Sequence, residues 1–309
     1  MADFTTGMTK AATVDDSQVL LYWQGVLFAA QPYLVATQAA TIREVLNAKS
    51  IQFSKYSNVT VSTTPLTDGV DPDSTALADS AVTLTPAEHG VVVTTTRLAS
   101  LQTGGKVDTA AIISIGNHMG KQLDKQAVEA LDAFGGTIIY PNTVTAASNL
   151  ATTDVLDKLF AGRLFNKLNR AAIPGIGGNY FGIAHDDCLH DLREDAGPGS
   201  WTDVSKYSNL VPVLNGEVGL YKGIRWLNTG NATVTADSNG TIDSYKLNVV
   251  GANALGYAVS EAPRMTVTGP YDKLGRFVNI GWYGVVHYDT IQAENQIQGI
   301  CASSVGDNG

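Results

Sequence analysis

At 309 residues the chain has room for one large domain or two modest ones, and its 44% hydrophobic content sustains a core and excludes wholesale disorder. Charged residues make up only 16%, below the roughly 25% of an ordinary soluble domain, so uncharged polar residues must solvate much of the surface. The formal net charge of −9 argues against a general nucleic-acid binder, because neutralising phosphates needs clustered Lys and Arg.

The chain begins polar and then turns helical. Asp16 or Ser17 can cap this helix, Leu20, Trp23 and Leu27 share one face, and Pro32 ends it. Asp15 and Asp16 stand where a secretory signal carries positive charge, and the apolar run 19–30 is too short to cross a bilayer, so neither a signal peptide nor a membrane span is expected. Residues 1–48 read as an amphipathic arm or, equally on these residues, as an ordinary domain-starting helix.

From Ser50 to Leu98 the pattern changes. Ile51, Phe53, Val59 and Val61 alternate with polar residues as in a half-buried strand. Thr64-Pro65, Asp68-Gly69 and Asp71-Pro72 mark a turn-rich tip, and Val82, Leu84 and then Val91, Val92 and Val93 read as the return. A hairpin with so long a tip protrudes and needs other surface to pack on.

Lys106 to Gly136 is the clearest element, with Asp108 as N-cap and Gly135-Gly136 as stop. Ile112, Ile115, Met119, Leu123, Ala127, Ala130 and Phe134 form one apolar stripe, and Asn117, Lys121, Asp124, Lys125, Glu129 and Asp132 the wet face. About 26 helical residues give a rod roughly 39 Å long. Gly116 and Gly120 inside it cost about 1 kcal/mol each relative to Ala.

Beyond Thr152 the elements shorten. A helix starting at Thr153 or Asp154 carries Leu156, Phe160 and Leu164. A strand over Asn179–Ala184 and a helix over Asp186–Arg193 follow. Lys222–Leu227 is a strand and Asn253–Ser260 is expected to be a short helix. Arg264–Thr268 and Arg276–Asp289 are strands around a turn at 272–275, and Gln296–Cys301 is the last strand.

Few clusters suggest chemistry. His185-Asp186-Asp187-Cys188-Leu189-His190-Asp191 holds metal-capable residue types, and a metal hydrolase built on His185, Asp186 and His190 is one reading. Carboxylates that cap a short helix explain the same run, and His89, His118 and His287 lie far off in sequence, so no metal role is expected. The glycines of 251–256 have Walker-like spacing, but Tyr257-Ala258 replace the required Lys and Ser or Thr. No G-x-S-x-G elbow is present. Cys188 and Cys301 are too few and too far apart for a disulfide framework and fit a reducing cytosol. Neither enzymatic activity nor a cofactor is expected.

Three stretches carry a resemblance. Tyr180-Phe181-Gly182-Ile183-Ala184-His185 with Asp187–Arg193 looks like a strand and helix of the tailed-phage coat-protein family named after phage N-four, with a departure near Asp186, where a Pro is usual. Asn215-Gly216-Glu217-Val218-Gly219-Leu220-Tyr221-Lys222-Gly223-Ile224-Arg225 is similar to that family's glycine-punctuated segment. Asp272-Lys273-Leu274-Gly275 with Gly281–Val286 looks like its closing hairpin.

The resemblance implies an α+β, Hong Kong 97-type capsid fold. Its parts would be an N-terminal arm (1–48), an extended β-hairpin loop (49–98), a peripheral domain with a long spine helix (99–151), an axial domain (152–263) and C-terminal strands returning to the peripheral domain (264–309). It implies a major capsid protein that forms hexamers and pentamers of an icosahedral shell around double-stranded phage DNA, without sequence-specific binding or a membrane. A separate scaffolding protein, a portal and optional decoration proteins are the implied partners, with assembly in the host bacterial cytoplasm and residence in the virion. Trp23, Phe53, Tyr56, Leu66 and Val70 are the expected inter-subunit contacts. An encapsulin-like nanocompartment and a secreted β-rich adhesion or tail-associated domain are the alternatives.

Overall fold

The computed structural model describes residues 34–56, 59, 63–71, 74–133, 135–196, 199, 201, 216–270 and 272–305. The expected helix with Leu20, Trp23 and Leu27, and Phe134 at the end of the long helix, lie outside them. The described chain is built on two sheets. The first has the order β1 (Ala40–Glu44), β11 (Leu255–Thr268), β12 (Phe277–Thr290), β4 (Ala87–Thr96), with β1 parallel to β11 and the other pairs antiparallel. The second has the order β5 (Ile138–Ile139), β13 (Gln296–Cys301), β10 (Ser244–Val250), β6 (Tyr180–Ala184), β8 (Ile224–Asn228), β7 (Glu217–Tyr221), and the short β9 (Val234–Thr235) also pairs with β10. The long strands near the C-terminus therefore divide: β11 and β12 join the first sheet, and β13 joins the second.

The expected helix at 253–260 is instead the start of β11. Leu255 to Ser260 are all buried, enclosed by β1 on one side and β12 on the other. A strand covered on both faces loses the period-two signal, and its apolar run then reads equally well as a helix. Val91–Val93 are not the hairpin's return either. They belong to β4, opposite Ile280 to Trp282 of β12, and the return is β3 (Asp79–Leu84), which pairs with β2 (Ile51–Tyr56) from Ile51↔Leu84 to Tyr56↔Asp79.

Between β4 and the long helix lies a short helix α1 (Arg97–Thr103). Helix α2 (Lys106–Asp132) then crosses the first sheet. Its 27 residues make a rod about 40 Å long. Ile112, Ile115, Met119, Leu123 and Ala127 pack with Ile280, Trp282, Val286 and Tyr288 of β12. Each fully buried Ile, Leu or Met contributes roughly 1.5–3 kcal/mol, which outweighs the two helical glycines. Asp108 is not the N-cap. Gly105 holds that position at φ 81°, and Asp108 sits in the first turn, accepting a 2.7 Å hydrogen bond from Ser100 Oγ.

Asp124 departs most from expectation. It is fully buried, not solvated. Its Oδ1 accepts the backbone N–H groups of Val35 and Ala36 at 2.9 and 2.7 Å. Its Oδ2 accepts Thr229 Oγ1 and Asn231 Nδ2 at 2.6 and 2.8 Å. A charge buried at a cost of several kcal/mol is stable here because four donors replace its water. One carboxylate thus joins the spine helix, the chain leading into β1, and the loop after β8.

The second sheet is covered by α3 (Lys158–Arg170) and α4 (Asp186–Glu194), whose Phe160, Leu164, Leu168, Leu189 and Leu192 meet Trp226, Leu247 and Ile297. Helix α3 begins later than expected because Asp157, not Thr153 or Asp154, caps it, accepting from Phe160 N at 2.7 Å. Asp154 instead closes its own loop, accepting from Ala151 N and Asn142 Nδ2. Lys222 and Gly223 turn β7 into β8 with φ of 50° and 76°, a two-residue turn of the primed kind. A Cβ at Gly223 would also collide with the Phe165 ring of α3.

Two expectations follow from these contacts. Asp124→Ala strips the acceptor from two buried backbone N–H groups and lowers unfolding stability by about 3 kcal/mol, read by equilibrium denaturation; Asp124→Asn, which keeps one carbonyl oxygen, loses less. An unchanged midpoint in Asp124→Ala would show that water replaces the carboxylate. The second concerns His89 of β4, whose Nδ1 lies 3.2 and 3.1 Å from the side-chain amides of Gln122 and Gln126 on α2. Burial, and then the neighbouring His287 of β12, push its pKa below 6.5. The native state therefore binds this proton less readily than the unfolded chain, so the contribution is complete above pH 6.5 and is lost as pH falls below it. Thermal melting should drop between pH 7.5 and 5, with a smaller drop in His89→Gln.

Candidate functional site

The run at 185–191 is brought together by α4, but its polar groups are committed to structure. His185 is the N-cap, its Nδ1 accepting from Asp187 N at 3.3 Å, and Asp186 and Asp187 occupy the first turn where the helix dipole favours them. Asp186 accepts Asn228 Nδ2 at 2.9 Å, and Asp187 accepts the Tyr245 hydroxyl at 3.1 Å. Burial first, and this bond to a carboxylate second, push the Tyr245 phenol well above its ordinary pKa. Asp191 accepts from the backbone N–H and hydroxyl of Ser304. The carboxylates thus point to three different elements, while His190 faces solvent. Among the described residues no group of three or more His, Cys, Asp and Glu is placed to hold a metal ion.

A groove of about 590 Å³ runs between α3 and the residues around β5. Arg163, Lys167 and Arg170 line it from α3, facing Thr137, Ile139 and Tyr140. Its lining contains no carboxylate, histidine or thiol, so its charged groups are cations suited to an anionic group.

The exposed surface carries a different signal. Ile51, Phe53 and Leu84, at the base of the β2–β3 hairpin, are buried against Ala258 and Ile291. Beyond this base the hairpin leaves the body: Tyr56, Leu66, Val70 and Leu77 are 60–77% exposed. From Ser57 to Leu84 the chain carries Asp68, Asp71, Asp73 and Asp79 but no Lys or Arg, so this segment is acidic as well as apolar. Among the described residues, strands β2 and β3 pair only with each other, and β1 and β4 are the two edges of the first sheet. Unpaired strand edges beside exposed apolar residues are a template for association with another chain.

Of the expected contacts, Trp23 lies outside the described residues, and Tyr56, Leu66 and Val70 are exposed on the hairpin. Phe53 is 7% exposed and is taken up by its own chain. Ile42 and Leu46 at the β1 edge, and Leu98 and Leu101 on α1, are further exposed apolar residues. Helix α1 buries none of its residues, and the Leu spacing of three was the only available sequence signal for it. Among the described residues no helix is long and apolar enough to cross a membrane.

No protein-family model matches the chain, and no curated protein matches its sequence. Solved structures match over nearly its whole length. The capsid of Ralstonia phage GP4 is 13% identical with a TM-score of 0.71, covering 98% of both chains. The capsid protein of cyanophage Pam1 is 12% identical with a TM-score of 0.67, covering 99% of this chain and 100% of the other. A virus-like particle from Pyrococcus furiosus is 12% identical with a TM-score of 0.54, covering 90% of this chain and 98% of that one. Two packed sheets, a spine helix across one of them and a projecting hairpin thus give this chain the α+β, Hong Kong 97-type fold of tailed-phage capsid proteins.

Proposed function

We propose that the chain is the major capsid protein of a tailed bacteriophage, a structural subunit that associates with copies of itself into hexamers and pentamers of a closed shell around double-stranded DNA. The observation that carries this reading is an acidic, apolar-tipped hairpin that leaves its own core, on a fold matching phage capsid subunits end to end. A two-stranded ribbon is marginal in water by itself, so a neighbouring subunit is the natural surface for Tyr56, Leu66, Val70 and Leu77. The low charged fraction supports the same reading, since surface covered by neighbours need not be solvated by charge.

On this reading residues 1–48 are the arm and 49–98 the extended loop. Residues 99–151 carry the spine of the peripheral domain, 152–263 form the axial domain, and 264–309 supply returning strands. A separate scaffolding protein, a portal and decoration proteins are the proposed partners, assembly occurs in the host cytoplasm and the product resides in the virion. A net charge of −9 suits a wall that does not grip its DNA.

The likeness to the Pyrococcus furiosus particle favours a second reading, an encapsulin-like compartment. Particles purified with a protein cargo and no DNA would select it. Deleting Pro65–Ser80 should leave a soluble subunit that forms no closed shells by negative-stain microscopy; normal particles from that deletion would remove the hairpin from assembly.

A further inference from the structure

The chain contains only two cysteines, 113 residues apart, and the fold brings them together. Cys188 lies in the first turn of α4 and Cys301 ends β13. Both are fully buried among Leu189, Leu192, Tyr245 and Ile297. Their sulfur atoms are 3.6 Å apart. The segments on either side are held in place. Asp191 of α4 accepts from Ser304, and Ala302 N donates to the Asp154 carbonyl at 2.8 Å. In sequence the pair looks too widely separated to cooperate; in the fold it is one site.

We infer that Cys188 and Cys301 are a latent disulfide, kept as thiols in a reducing compartment and joined by a low-molecular-weight disulfide oxidant after the folded chain leaves it. A disulfide needs sulfurs roughly 2.05 Å apart, so side-chain rotation has to bring them about 1.5 Å closer. One thiolate attacks a sulfur of the oxidant and expels the first small thiolate. The other cysteine then attacks the mixed disulfide and expels the second. Two protons leave the protein for the departing thiolates, the cysteines lose two electrons, and the oxidant is reduced to two thiols.

The neighbouring Cys301 thiol, and then burial, hold the Cys188 thiol well above its ordinary pKa, which keeps it protonated and slow to react. Reaction therefore requires local opening of the β13 end, giving a bond that forms slowly in the folded chain and is then shielded. A two-sulfur metal site is a poorer reading, because the adjacent Asp187 and Asp191 are already bonded to Tyr245 and Ser304. The bond would staple α4 to β13 within a single chain, whether or not that chain builds a shell.

The test uses the purified full chain, warmed below its melting point with oxidised glutathione, then acid-quenched, alkylated in denaturant and weighed by intact mass spectrometry. The expected product is lighter by two hydrogens, takes up no alkyl group, and melts roughly 5–10 °C above the reduced protein. Cys188→Ala and Cys301→Ala should show no oxidant-dependent gain in melting temperature; Cys188→Ser is the second variant if the alanine loosens the core. Two alkyl groups after oxidation, a stable glutathione adduct, bonds only between chains, or bond formation only in denaturant would each overturn the inference. Because the readout is intramolecular, its failure leaves the shell reading standing, and failure to form shells leaves the disulfide standing.

Discussion

The buried carboxylate of Asp124 is the constraint on which the architecture turns. Helix α2 lies on the first sheet, but the loop after β8 comes from the second sheet and the chain before β1 from the N-terminal side. None of these pieces is adjacent in sequence, since Val35 and Asn231 lie 89 and 107 residues away from Asp124. Apolar packing alone would let the spine slide along the sheet, because dispersion and hydrophobic burial have little direction. Four charge-assisted hydrogen bonds fix its azimuth and depth together.

What could be read from sequence was what is local. The stripe Ile112, Ile115, Met119, Leu123 and Ala127 holds one face for about four turns, so the spine was plain. Gly216, Gly219 and Gly223, which punctuate the segment at 215–225, all adopt positive φ. Hidden from sequence was everything set by partners far along the chain. Asp124 looked like solvent-facing charge, since nothing in its neighbourhood names Val35 or Thr229. Leu255 to Ser260 looked helical because a strand covered on both faces has no alternation. The hairpin base was legible at Ile51, Phe53 and Leu84, but that Phe53 turns inward while Tyr56 stays outside depends on Ala258 and Ile291, which sequence proximity does not supply.

The surface divides the labour in the same way. The hairpin base is tied into the body by apolar packing, whereas Leu66, Val70 and Leu77 beyond it are exposed. The run at 185–191 shows the reverse: residues with chemical potential in isolation are spent on capping α4 and on bonds to Asn228, Tyr245 and Ser304. The open edges of β1 and β4 and the exposed hairpin, not the run at 185–191, are where the described surface offers contact.

The placement of β13 has a consequence in time. It sits between β5 and β10, antiparallel to one and parallel to the other, although more than 150 residues separate it from β5 in the chain. A chain still on the ribosome and lacking residues 296–301 has an interrupted second sheet, with β10 open on that side. Long-range pairing of this kind forms late and slowly. The hairpin, in contrast, is complete once Leu84 has emerged. The exposed apolar projection is therefore made early and the body that must carry it closes last, so topology itself sets an interval during which nascent chains are prone to associate.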